Sequence, residues 1–269
     1  MIRAFVVATL LSMVVAPSVK AQAQAKKPPP SAYERCLAAA QAPAGETACV
    51  AEETRRQDAV LNRDYKLILD DLVESQAYYP VGTSASGTMR KAQQAWIAFR
   101  DADCRVYASK TWGERADLDA RKCVLSRTRE RAEALKYDVP NAPEPTLAPD
   151  QQATAYGRCM KRAKKLDFRE EQGCAVVELE RENARLNSTY KTLLAGLVQP
   201  ADQNAMRAAQ RAWIAFRDAD CARDALDAGR NGGYASSLCE MEATSERADQ
   251  LEVFLTLHGL KSQGLGAPR

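Results

Sequence analysis

The chain runs to 269 residues, of which 46% are hydrophobic and 27% charged, with 38 basic against 35 acidic residues for a formal charge of +3. That length suits one large or two small domains, and so even a charge balance excludes the basic footprint of a nucleic-acid binder. A single histidine, His258, leaves little material for histidine-based nucleophilic catalysis or a histidine-ligated metal; no cofactor or metal is expected.

In chain order, residues 1–25 read as a secretory signal peptide: Arg3, an apolar run from Ala4 to Ala16, then small residues offering cleavage after Ala21, Ala23 or Ala25. The run is too short for a permanent membrane span, so no span is expected once the signal is cleaved, and the remaining charge is about +1. A Pro-rich leader, Lys26 to Pro30, follows. The first copy of a repeated unit occupies 31–137, and a Pro-rich linker of 138–150 with four prolines acts as a semi-rigid spacer. The second copy occupies 151–258, and 259–269 reads as a flexible tail.

The copies align throughout. "LNRDYKLILDDL" at 61–72 matches "LNSTYKTLLAGL" at 186–197, with Leu61, Tyr65, Leu69 and Leu72 forming one helical stripe. A connection follows, long in copy one ("YYPVGTSASG", 78–87) and short in copy two ("QPAD", 199–202). The next helix carries "AWIAFRDADC" at 95–104 and again at 212–221; from Met89 to Cys104 and Met206 to Cys221 only two of sixteen positions differ. A third helix starts at "CVLSRTRERAEAL" (123–135) and "CEMEATSERADQL" (239–251). The pattern predicts an all-α fold: two tandem disulfide-bonded antiparallel three-helix units, each with a short capping segment that carries the first cysteine.

Wound at the helical pitch with Trp96 as the reference, Phe99 and Arg100 fall on either side of it, Asp103 falls in the centre of the apolar face, and Asp101 falls on the side toward water. An inward carboxylate costs several kcal/mol unless paired. Its candidate partners are Arg100 and Arg131, the latter sharing a stripe with Thr128 and Leu135. Copy two repeats the set as Trp213, Phe216, Arg217, Asp220 and Arg247. These residues read as a fold network. Asp101 and Asp103 point apart and cannot flank one glycosidic bond.

Eight cysteines in an exported chain read as disulfides. The helix ends favour Cys36–Cys49, Cys104–Cys123, Cys159–Cys174 and Cys221–Cys239, with Cys49–Cys104 the main alternative. No CxxC pair occurs, which argues against structural zinc and thioredoxin-like chemistry. The basic run "KRAKK" (161–165) reads as a solvated helix face, and Trp112 either as core or as an exposed anchor.

Leu-Asn-x-x-Tyr, Ala-Gln-x-Ala-Trp-x-x-Phe-Arg-Asp-x-x-Cys and Cys-x(4)-Thr-x(2)-Arg, together with the cysteines, occur in order twice. On these residues each copy resembles the lysozyme inhibitor LprI-like domains of bacterial envelope proteins. The resemblance implies a small disulfide-bonded helical domain, exported to the periplasm or secreted, of which some members inhibit lysozyme. The family's Trp corresponds to Trp96 and Trp213, and its Arg-Asp to Arg100–Asp101 and Arg217–Asp218. Two departures stand out: no cysteine lies near the cleavage region to carry a lipid, and the tandem copies suggest bivalent binding.

The function expected on this basis is non-enzymatic: inhibition of lysozyme or a related peptidoglycan-cleaving enzyme by cleft occlusion. The alternative is a scaffold binding envelope proteins or cell wall without inhibition, so the partners foreseen are a protein such as lysozyme and peptidoglycan. The contact residues would come from the longer loop, 78–88, with Tyr78, Tyr79, Thr83, Ser84 and Ser86, and from Trp112.

Overall fold

A computed structural model describes residues 29–108, 114–142, 154–163, 168–257 and Gly259. The signal-peptide segment, most of the Pro-rich linker, part of "KRAKK", Trp112, His258 and nearly all of the tail lie outside the described residues. No helix among the described residues is long and apolar enough to cross a membrane.

Each copy opens on a short helix that carries its first cysteine: α1 (Ala32–Ala39) and α5 (Ala155–Arg162). Ser31 and Glu34 close a reciprocal capping box on α1, and the Thr154 hydroxyl accepts from Gly157 N–H on α5. Three long helices follow in each copy: α2 (Pro43–Glu74), α3 (Ala85–Ala108) and α4 (Glu114–Lys136), then α6 (Phe168–Gly196), α7 (Pro200–Asp227) and α8 (Gly232–Leu257). Pro43 and Pro200 stand at helix starts, where a missing N–H costs nothing. No strand is present among the described residues. On α2 the buried stripe is Leu61, Ile68 and Leu72, with Tyr65 and Leu69 on its shoulder.

The four disulfides are Cys36–Cys49, Cys104–Cys123, Cys159–Cys174 and Cys221–Cys239. The alternative Cys49–Cys104 pairing is absent. Each first bond pins a short helix to the long one after it. Each second bond joins the end of one long helix to the next, which fixes α3 antiparallel to α4 and α7 antiparallel to α8. The ion pairs Glu46–Lys122 and Glu53–Arg129 advance together along both chains, so α2 and α4 run parallel.

Three helices per copy are present as expected, but the copies do not close separate cores. The most extensive helix pairing joins α3 of the first copy to α7 of the second, whereas α2 touches α3 only slightly. One apolar cluster takes Leu61, Met89, Trp96 and Leu135 from copy one and Leu186, Met206, Trp213 and Leu251 from copy two. The reason lies in the repeated segment. Its Trp, Phe and Met fill one broad face, and a second identical face is the best available cover. Phe99 stacks on Phe216, its own counterpart, with centroids 5.9 Å apart, so the repeats are related by an approximate two-fold axis through that contact.

Candidate functional site

Around the Phe99–Phe216 contact sits the Arg–Asp network, and its two equivalent pairs, Asp103–Arg247 and Asp220–Arg131, cross between the copies. Asp103 lies buried at 1% exposure, and its partner from the third helix is Arg247, at 2.8 Å, rather than Arg131. Arg131 instead grips Asp220 through both terminal nitrogens, at 2.8 and 3.0 Å. The ring contacts cross likewise: Arg247 lies over Phe99 and Arg131 over Phe216. Each of these arginines also bonds at home, donating Nε to Gln93 or Gln210 of its own copy. Arg100 and Arg217, the other expected partners, turn outward, pairing with Asp101 and Asp218 while lying over Trp96 and Trp213. The pairing expected within each copy is therefore corrected. Packing α3 against α7 brings each aspartate to the third helix of the opposite copy.

The second arginine at each aspartate breaks the symmetry. Asp103 also accepts, within its own copy, from Arg127 Nε and Nη2 on α4, at 3.0 and 2.8 Å, and Arg127 in turn pairs with Glu130. Its counterpart in copy two is Ala243. Asp220 has Arg223 at 3.9 Å instead, on its own helix, where copy one places Val106. Burial raises the Asp103 carboxyl, but Arg247 and Arg127 outweigh that and hold it below the usual carboxylate range.

The two ends of this core differ sharply. At one end Tyr107 meets Phe254 edge to face, centroids 4.9 Å apart. The equivalent positions at the other end are Asp224 and Asp138, which with Asp227 surround Arg223 at 2.5, 2.9 and 3.0 Å. Three aspartates thus share one guanidinium, and the enclosure moves their acidity. Burial, with Asp220, Asp138 and Asp227 nearby, pushes Asp224 up to about 7, and burial also raises Asp138.

Between α4 and α8, above this floor, lies a groove. Its central part is a cavity of about 420 Å³ lined from both copies by Phe99, Arg131, Phe216, Asp220, Glu246 and Arg247 among others. It widens at the Tyr107 end into a space of about 670 Å³ and opens at the Arg223 end into one of about 390 Å³. Glu242 and Glu246 stand one turn apart on its α8 wall, exposed at the rim, and neither is ion-paired among the described residues. Crowding by the protein raises both, Glu246 to about 7 with Glu130 adding to the effect. No cluster among the described residues is arranged to hold a metal ion.

The loop before α3 is held firmly. Gln76 spans it, donating to Thr83 C=O and accepting from Ala85 N–H. Thr83 N–H and Oγ1 both close onto Pro80 C=O, and Gly82 takes the left-handed turn at φ 88°. The Tyr79 hydroxyl donates to Asp227 across the copies at 2.9 Å. What remains outside is Tyr78, 90% exposed, and Val81, fully exposed. Thr83 and Ser84 face solvent, and Ser84 accepts from Gly87 N–H at the start of α3. Ser86 is corrected as a contact residue: it is buried and receives a hydrogen bond from Arg90, so a partner cannot reach it.

Gln93, Gln210, Arg127, Arg223 and Gln76 belonged to no expected site. The two glutamines were legible as members of the repeated helix, at its inner edge; the others follow no repeat. The acidic groove wall left only the spacing of Glu242, Glu246 and Asp249, four and three apart on α8, which by itself reads as a solvated helix face.

Fold and site together define a disulfide-stapled, all-helical repeat protein whose two units share one core through a crossed Arg–Asp network. A family model described as lysozyme inhibitor LprI matches residues 36–135 and again 159–251. The chain belongs to that family. A curated relative, an uncharacterized protein of Rhizobium meliloti (strain 1021), is 29% identical over 96 residues, covering 33% of this chain and 67% of its own. A crystal structure of a putative uncharacterized protein from Burkholderia thailandensis is similar at a TM-score of 0.50 and 22% identity, covering 83% of this chain and 94% of that one. That likeness concerns the fold alone, over more chain than one repeat supplies.

Proposed function

We propose that this protein is an exported, non-enzymatic inhibitor that binds a lysozyme-type, peptidoglycan-cleaving enzyme and blocks its substrate cleft with the loop at 78–84. Family membership supports the partner class. The observation that carries the mode is the bracing of the loop by Gln76 and Tyr79, which leaves Tyr78 and Val81 projecting. A protruding tip already fixed in shape loses little conformational entropy on entering a cleft, and an aromatic and an aliphatic side chain supply the desolvated contact. The four disulfides fit an oxidising, extracytoplasmic compartment.

The test is inhibition by the purified protein of c-type, g-type and i-type lysozymes, alongside the double variant Tyr78→Ser/Val81→Asp. The wild type inhibits at least one class, and the variant weakens that inhibition by tenfold or more, roughly the loss of one interface hot spot, with helical circular dichroism unchanged. Equal inhibition by both proteins would refute the loop, and no inhibition of any class would refute the function.

A further inference from the structure

We propose that the groove between α4 and α8 is a binding site for an extended, lysine- or arginine-bearing peptide segment of a protein partner, a site that only the two repeats together create. On a chain of slight net positive charge, the groove gathers carboxylates beyond its cations: Asp138, Asp224 and Asp227 share Arg223, while Glu242 and Glu246 have no cationic partner among the described residues. Such a wall attracts ammonium and guanidinium groups.

The groove's own cations are already taken. Arg247, 1% exposed, is held by Asp103, Arg131 by Asp220, and Arg223, 6% exposed, by its three aspartates. No ion pair among the described residues joins any of them to Glu242 or Glu246, which stand exposed at the rim. An inorganic anion meets the surrounding carboxylates. An extended basic peptide brings cationic side chains for Glu242, Glu246 and Asp224, spaced along the groove.

Dimensions agree. From Glu242 to Leu257 the α8 wall advances about 22 Å at about 1.5 Å per residue, the reach of an extended segment of roughly six or seven residues. One wall is α4 of the first repeat, the other α8 of the second, and the floor is the Phe99–Phe216 contact between them. Neither repeat has the site alone. Asp227, at the Arg223 end, also receives the Tyr79 hydroxyl, so the groove runs up to the base of the projecting loop. A partner seated on the loop meets the groove. This inference rests on the proposed function only for the partner's identity.

The experiment needs no enzyme. Fluorescence anisotropy at low ionic strength follows a labelled Gly-Lys-Gly-Arg-Gly-Lys-Gly peptide on the full-length protein, on Glu242→Gln/Glu246→Gln, and on Asp70→Asn/Glu180→Gln. The last variant removes two exposed carboxylates that line none of these spaces. Expected are saturable binding by the wild type, a loss of about tenfold in the groove variant, and a change within twofold in the control variant. No binding up to millimolar peptide, unchanged affinity in the groove variant, or equal losses in both variants would overturn the proposal. So would lysinamide displacing the peptide at the peptide's own concentration, since a single residue would then suffice.

Discussion

Replacing Asp103 by Asn tests the crossed network directly. Asp103 accepts three charge-assisted hydrogen bonds, two from Arg127 and one from Arg247. In the variant Arg127 keeps Glu130, at 2.9 Å, whereas Arg247 retains only the neutral side chains of Gln210 and Gln250, each at 3.2 Å. The damage therefore centres on Arg247, a fully buried cation stripped of its counter-charge. Breaking such a pair costs about 3–5 kcal/mol, a large share of the roughly 5–15 kcal/mol that a domain has in total. Asp220→Asn removes one bidentate partner, but at 18% side-chain exposure water reaches the site, so its cost falls at or below the lower end of that range. Urea unfolding with disulfides intact measures both. The decisive form is a pair of double-mutant cycles, in which Asp103→Asn couples to Arg247→Gln by about 2 kcal/mol or more and to Arg131→Gln by less than about 0.5 kcal/mol. The reverse order would show that the pairs close within each repeat and would refute the shared core. Acid adds a second readout. The folded Asp103 carboxyl titrates below its unfolded value near 3.9, so its contribution is complete above about pH 4 and is lost as pH falls through the folded value. Wild type and variant converge in stability as the pH drops.

Two further outcomes follow from the same geometry. The Cys104–Cys123 bond closes a separation of 19 residues between two buried cysteines, and its removal as Cys104→Ser/Cys123→Ser costs on the order of 3 kcal/mol by loop entropy; Cys36→Ser/Cys49→Ser costs the global transition less, because α1 contributes no buried residue and frays locally. Equal drops in melting temperature would contradict that ranking. Asp224, raised to about 7 in the folded protein, binds a proton there that the unfolded chain has released above about pH 4, so its contribution to stability declines as pH rises from about 4 to 7. Urea midpoints of Asp224→Asn against wild type over pH 4–8 check this: the variant lacks that decline, and parallel curves would rule the assignment out.

What the sequence disclosed was whatever depends on one helix at a time. Periodicity placed Trp96 and Phe99 on the inward face and Asp101 outside, and helix ends favoured the cysteine pairs that form. What it could not disclose was which face covers which. The α2 helix packs with the third helix, α4, and leaves α3 largely free of α2. An identical apolar face in the other copy then wins that space. Because the repeats are nearly identical in the segment concerned, Asp103 has two sequence-equivalent arginines to choose from, Arg131 and Arg247, and spacing along the chain favours the nearer. The choice is made by helix packing, a property of the pair. The groove was hidden for the same reason, since its acidic wall reads as an ordinary solvated helix face until α4 is placed opposite.

The differences between the copies carry more functional weight than the shared decapeptide. If the repeats had only to fold, both ends of the pseudo-two-fold core could be filled alike. One end is filled by Tyr107 against Phe254, an apolar closure. The equivalent positions at the other end hold Asp224 and Asp138, and Val106 is replaced by Arg223. An aromatic pair there would bury apolar area and stabilise the fold, whereas acids crowded around one arginine do not: Asp138 and Asp224 are both raised, each carrying a cost of enclosure. A chain that retains such a cluster at a position where its own other half shows the stable solution gives up stability there. Surrendering it at the mouth of a groove, beside the loop that Tyr79 ties to Asp227, is what the proposed binding surface requires.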